Sequence, residues 1–90
     1  MYSVKPAGKF PKDIRRAERR RWDMALLKGI VEALVAGKAL DTKYLDHPLQ
    51  GEYKGCRECH VTPDWLLIYK FSKVRPVIYL LRTGRHSDLF

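Results

Sequence analysis

Apolar and polar positions change their period several times along the chain, and each change marks an element. Met1-Tyr2-Ser3-Val4-Lys5 alternates with period two, as a short strand does, and Pro6-Ala7-Gly8 breaks it. Phe10, Ile14 and Ala17 then recur at helical spacing, with Pro11 in the first turn, where its missing N–H costs nothing. Lys12, Arg15, Arg16, Arg19 and Arg20 take the opposite face, so this first helix is narrowly amphipathic and basic. Asp23 suits the N-cap of a second helix, Met24 to Ala36, whose Leu26, Leu27, Ile30, Val31, Leu34 and Val35 form a wide apolar face. Gly37 stops it. The breadth of that face predicts packing on a sheet.

From Lys38 to Lys54 the pattern fades, and Asp46-His47-Pro48 with Gln50-Gly51 is loop chemistry. A loop of this length in a small domain is usually functional. Three strands follow: Tyr53 to His60, Trp65 to Phe71, and Pro76 to Arg82. Trp65-Leu66-Leu67-Ile68-Tyr69 is apolar on both faces, as a central strand is. Short turns at Thr62-Pro63-Asp64 and Ser72-Lys73-Val74-Arg75 imply two hairpins and an antiparallel meander. The tail from Thr83 is polar except for Leu89-Phe90. The predicted fold is α+β: a small antiparallel sheet, made of the N-terminal strand and the three-stranded meander, with two helices on one face. One domain is expected over residues 1–90, since a chain this short hides only about 60–65% of its unfolded surface.

Charge narrows the partners. Eighteen Lys and Arg against ten Asp and Glu leave a net +8 and a pI near 9.8, which favours a polyanion such as nucleic acid or an acidic protein. No run of about 18 apolar residues and no signal-peptide h-region is present, so the reading is cytosolic, with no membrane partner.

Three constellations compete for the chemistry. Cys56-Arg57-Glu58-Cys59-His60 spells the C-x-x-C-H of c-type haem attachment, but a strand pattern sends Cys56 and Cys59 to opposite faces, which disfavours haem, a disulfide or a zinc hook. His47, His60, His86 and Asp64 are chemically able zinc ligands, yet show no local ligand spacing. The third arrangement needs no metal or cofactor. Cutting RNA requires a base for the ribose 2′-OH, an acid for the departing 5′-oxygen and cations for the charge on phosphorus. Imidazoles do either transfer near neutral pH. The three histidines sit at loop or strand ends, Asp64 follows His60, Lys54 and Arg57 precede it, and Arg82 and Arg85 flank His86. Trp65, Tyr53 or Phe90, if exposed, would stack on unpaired bases; for Trp65 a core position is equally open.

The segments Asp46-His47-Pro48-Leu49-Gln50-Gly51, His60-Val61 to Pro63-Asp64-Trp65 with Leu67-Ile68-Tyr69-Lys70, and Arg82-Thr83-Gly84 with His86 and Leu89-Phe90 together resemble the YafQ group of the RelE/ParE toxin superfamily. The likeness is loose over the helices and close from Asp46 onward. It implies a RelE-like fold and an mRNA interferase, the toxin of a type II toxin–antitoxin pair that enters the ribosomal A site and cuts the codon there. It places function on His47, His60, Asp64 and His86, assisted by Arg82, Trp65 and Phe90. The roles expected are His86 as acid, Asp64 or His60 as base, and His47 with Arg82 on phosphate, without cofactor. The implied partners are the ribosome with its message and an acidic, DinJ-like antitoxin of the ribbon-helix-helix type. Superfamily members that act on gyrase lack such a histidine set, and a non-nuclease toxin of that kind is the alternative. Cys56 and Cys59, which are not part of the motif, and the unusual richness of the first helix in arginine depart from the family pattern.

Overall fold

A computed structural model describes residues 1–90. Strand β1 (Ser3–Pro6) leads into helices α1 (Phe10–Arg19) and α2 (Met24–Val35). A loop follows, containing the two-residue strand β2 (His47–Pro48) between short 3-10 turns; then come β3 (Arg57–Thr62), β4 (Trp65–Phe71), β5 (Val77–Gly84) and a terminal turn of helix, α3 (His86–Leu89). The sheet order is β1-β5-β4-β3-β2.

The α+β architecture is as expected, and β3, β4 and β5 form the antiparallel meander. Four details differ from the sequence reading. β1 pairs with β5 in parallel, because alternation within four residues carries no direction. The faded loop adds β2, which places His47 opposite Glu58. β3 starts at Arg57 and runs through Thr62, so only Pro63 and Asp64 turn the chain, and the register shifts between His60 and Thr62. The polar tail closes into α3, whose Leu89 is buried.

The helix periodicities hold because they bury what they should. Asp23 caps α2 by accepting from the Ala25 N–H at 3.1 Å. Phe10 and Ala17 of α1 and Leu27, Ile30 and Leu34 of α2 pack with Cys59, Val61, Trp65, Leu67, Tyr69, Ile78 and Leu80 in the main core. A smaller cluster of Cys56, Leu66, Ile68 and Leu89 forms separately, with Leu49, Tyr53 and Leu81 against it. The two free cysteines therefore belong to different clusters and cannot clasp one haem or one metal. Burial pushes the Cys59 thiol up to about 12, which makes it inert.

β1 stops at Pro6, leaving the edge of β5 beyond Leu80 without a strand. Asp13 of α1 fills that gap. Buried and only 2% exposed, it accepts from the Thr83 backbone N–H at 3.1 Å, from Arg82 Nε at 2.7 Å and Nη2 at 3.2 Å, and from Arg16 Nη2 at 3.0 Å. A carboxylate thus replaces the missing strand partner and fixes the end of β5, from which α3 departs.

Candidate active site

Each functional side chain is set by a local feature of this sheet. Leu45 takes a left-handed conformation (φ 51°), which turns the chain out of its 3-10 turn so that Asp46 faces inward and His47 joins β3. Asp46 accepts from the Tyr69 hydroxyl at 2.6 Å and from Arg57 Nε at 3.3 Å, which pins the loop beside His47. Burial and then this hydrogen bond raise the Tyr69 pKa, and the bond to Asp46 raises that of Arg57.

His47 Nδ1 lies 2.6 Å from the Leu45 carbonyl, which only accepts, so Nδ1 carries a proton. Its Nε2 faces Glu58 Oε1 at 3.4 Å, and His60 Nε2 stands 3.9 Å from the same oxygen. The two imidazole centroids are 6.3 Å apart. Glu58 is buried, and its Oε2 has no hydrogen-bond partner. A buried carboxylate thus stands between the two imidazoles, within 4 Å of a ring nitrogen of each.

Across from this group stands α3. His86 is exposed and stacks on Phe90, with centroids 4.7 Å apart, and Phe90 meets Tyr53 edge-on at 5.5 Å. Asp88 ties the helix to α1, accepting from Arg20 at 2.7 Å and 3.1 Å, and accepts from the Arg85 N–H at 2.7 Å. Gly84 (φ 153°) makes the approach possible, since a Cβ there would lie 2.8 Å from Arg16 Nη2 and 3.0 Å from Asp88 Oδ2.

The product is one open hollow of about 580 Å³ lined by Glu58, His60, Pro63, Asp64, Leu66, Arg85, His86 and Ser87. It brings together His60 and Asp64 from the β3–β4 hairpin with Arg85 and His86 from the start of α3, two stretches distant in sequence. His47 stands behind the rim and reaches the hollow through Glu58.

Other expected site residues lie elsewhere. Trp65 is 3% exposed, with its indole N–H donating to Thr83 Oγ1 at 2.8 Å, and offers no face to a base. Arg82 is committed to Asp13 and Arg57 to Asp46, so neither guanidinium is free for phosphate. Lys54 is exposed but does not line the hollow. Phe90, 57% exposed, remains available for stacking. Glu58 is the residue that sequence reasoning passed over. The signal was its spacing, two before His60 on one strand, which puts both on one face. No three His, Cys, Asp or Glu side chains stand grouped as metal ligands.

Hydrogen bonds from Arg20 lower the Asp88 pKa to about 2, against an unfolded value of about 3.9. Folding favours the ionised form, so its contribution is complete above about pH 4 and is lost as pH falls through about 2. Arg20 is a third exposed, and solvent screening limits the effect to about 1 kcal/mol. Asp88→Asn should therefore lower stability at neutral pH by that amount and flatten the acid limb. Urea midpoints measured from about pH 5 downward check this: parallel wild-type and variant curves would contradict it.

Comparison with known proteins follows the same geometry. Residues 2–90 match the family described as YafQ, the bacterial toxin of a type II toxin–antitoxin system. The mRNA interferase toxin YafQ of Escherichia coli K12 is 41% identical over 88 residues, covering 97% of this chain and 94% of that protein. The toxin in the crystal structure of the E. coli DinJ–YafQ complex superposes with a TM-score of 0.89 at 40% identity, covering 100% and 99% of the two chains. A metal-bound toxin from Helicobacter pylori superposes at 0.93 with 40% identity, covering both chains completely.

Proposed function

The chain belongs to the YafQ family of bacterial toxins of type II toxin–antitoxin systems, and from that membership we propose a ribosome-dependent mRNA interferase that cuts by proton transfer between its own side chains. What supports this reading is the hollow itself, in which two imidazoles, two carboxylates and Arg85 face one space of nucleotide size. His60, backed by Glu58, draws the proton from a ribose 2′-OH, and O2′ attacks the adjacent phosphorus. His86, on the facing helix, gives a proton to the 5′-oxygen as the P–O5′ bond breaks. The ends left are a 2′,3′-cyclic phosphate and a 5′-hydroxyl.

Of the cations expected on phosphate, Arg85 rather than Arg82 takes the role, since it has no carboxylate partner and lines the hollow. Asp64, exposed on the turn, orients the ribose or the attacking hydroxyl. Phe90 stacks on a base while holding His86 in place. A non-nuclease toxin acting on gyrase would have no use for these imidazoles.

The cognate partner is an antitoxin, as in the DinJ–YafQ complex. An acidic one fits the exposed Lys12, Arg15 and Arg19 of α1. No helix is long and apolar enough to cross a membrane, and the proposed place of action is the cytoplasm, with the ribosome. Induction in a bacterial host should arrest growth and truncate messages in reading frame, and co-expressed antitoxin should restore both; arrest with intact messages would contradict the reading. Toxin stripped with a chelator before it meets ribosomes should cut as fast as untreated toxin.

A further inference from the structure

We infer that the α1–α2 junction forms a second nucleobase subsite beside the catalytic hollow, with Trp22 as its stacking platform. The inference rests on the reading of the chain as an RNA-cutting toxin and adds where a neighbouring base is held.

Trp22 has no role in the resemblance and none in the chemistry above. It follows Arg21, a non-glycine residue in the left-handed region (φ 58°), so the chain accepts backbone strain to place this indole. Its ring lies 4.9 Å from the Trp65 ring, tilted by 46°. Trp65 is sealed in the core, whereas Trp22 is only half-buried. The outer indole is thus fixed from beneath and open from outside.

Two cations stand against it. Arg20 Cζ is 5.2 Å and Arg85 Cζ 5.9 Å from the ring centroid. Asp88 holds Arg20, while Arg85 has no such partner and sits at the outer limit of cation–π contact. A base arriving at Trp22 can displace Arg85 toward the backbone phosphate at little cost.

The groove around Trp22 measures about 350 Å³ and is lined by Asp23, Leu26, Thr62, Asp64, Trp65 and Arg85 besides Trp22 itself. Asp64 and Arg85 also line the catalytic hollow, so the two spaces share a wall. Leu26, an apolar side chain 46% exposed, adds an apolar wall to the groove. An aromatic platform, an apolar wall and an unpartnered guanidinium continuous with a phosphate site match an unpaired base with its phosphate. Stacking strength, with few directed hydrogen bonds, favours purines over uracil.

Titration with 2′-O-methyl hexanucleotides of A, G, C or U, which cannot be cut, tests this separately from catalysis. The chain has two tryptophans, and Trp65, 3% exposed, also borders the groove, so the Trp22→Phe protein, whose only indole is Trp65, assigns the quench of indole emission to Trp22. Bound oligonucleotide, followed by anisotropy of a labelled end, should quench emission, most strongly for purines. Trp22→Phe should abolish the quench but keep binding, and Trp22→Ala should weaken binding by roughly 5- to 100-fold. Saturated binding without quench, or unchanged affinity in Trp22→Ala with its urea midpoint intact, overturns the subsite. If RNA quenches Trp22 and ribosome-bound message stays uncut, the subsite stands and the nuclease reading falls.

Discussion

His86→Ala should lower the rate of message cleavage on programmed ribosomes by about 10²- to 10⁴-fold, the range lost with a positioned general acid. The 5′-oxygen would then depart as an alkoxide in a site with no other imidazole on that side. His86→Gln, which keeps a donor but transfers no proton at neutral pH, should fall nearly as far. The fold should be indifferent, because His86 is exposed and its ring contact is Phe90. Urea unfolding should move by no more than about 0.5 kcal/mol, the usual range for such a surface change. A variant that is equally stable and equally fast would remove His86 from the chemistry. Loss of rate with equal loss of stability would assign it to structure instead.

The largest effect on stability is expected at Asp13. Asp13→Ala deletes the acceptor shared by Arg82, Arg16 and the Thr83 N–H, and leaves the Arg82 guanidinium, only 15% exposed, without its counter-charge. Breaking such a pair from one side costs about 3–5 kcal/mol. For a domain of this size that is a large share of its total. The cost belongs mostly to the stranded cation, so Asp13→Ala with Arg82→Leu should recover part of it, and the double-mutant cycle should show coupling above about 1 kcal/mol. Additive losses would mean that Asp13 serves the Thr83 backbone and Arg16 and not Arg82.

How far the sequence could be read follows from the range of the forces involved. Local signals worked: the α2 face, the Asp23 cap and the doubly apolar β4 are written at spacings of two to four residues. The convergence of His60, Asp64 and His86 on one hollow was legible because each adjoins a turn. The choice left open for Trp65, and the phosphate role expected of Arg82, could not be decided locally for one common reason. Whether an indole or a guanidinium is free depends on partners distant in sequence, Thr83 for Trp65 and Asp13 for Arg82. Nothing local to Arg82 announces that β1 ends early and that a helix carboxylate closes the gap. Glu58 is different, since its strand parity with His60 was available and was overshadowed by the C-x-x-C-H pattern around it. The direction of β1 could not be read at all from four residues.

The proposed chemistry is proton transfer to and from the ribose and phosphate, and the chemistry of the ends tests it most directly. Ribosomes carrying a message with a single 2′-deoxy nucleotide on the 5′ side of the cut would be compared with the all-ribose message. The expected result is cleavage of the ribose message, leaving a 2′,3′-cyclic phosphate and a 5′-hydroxyl, and an intact deoxy message. Cleavage of both at similar rates, or a 5′-phosphate at the new end, would contradict it.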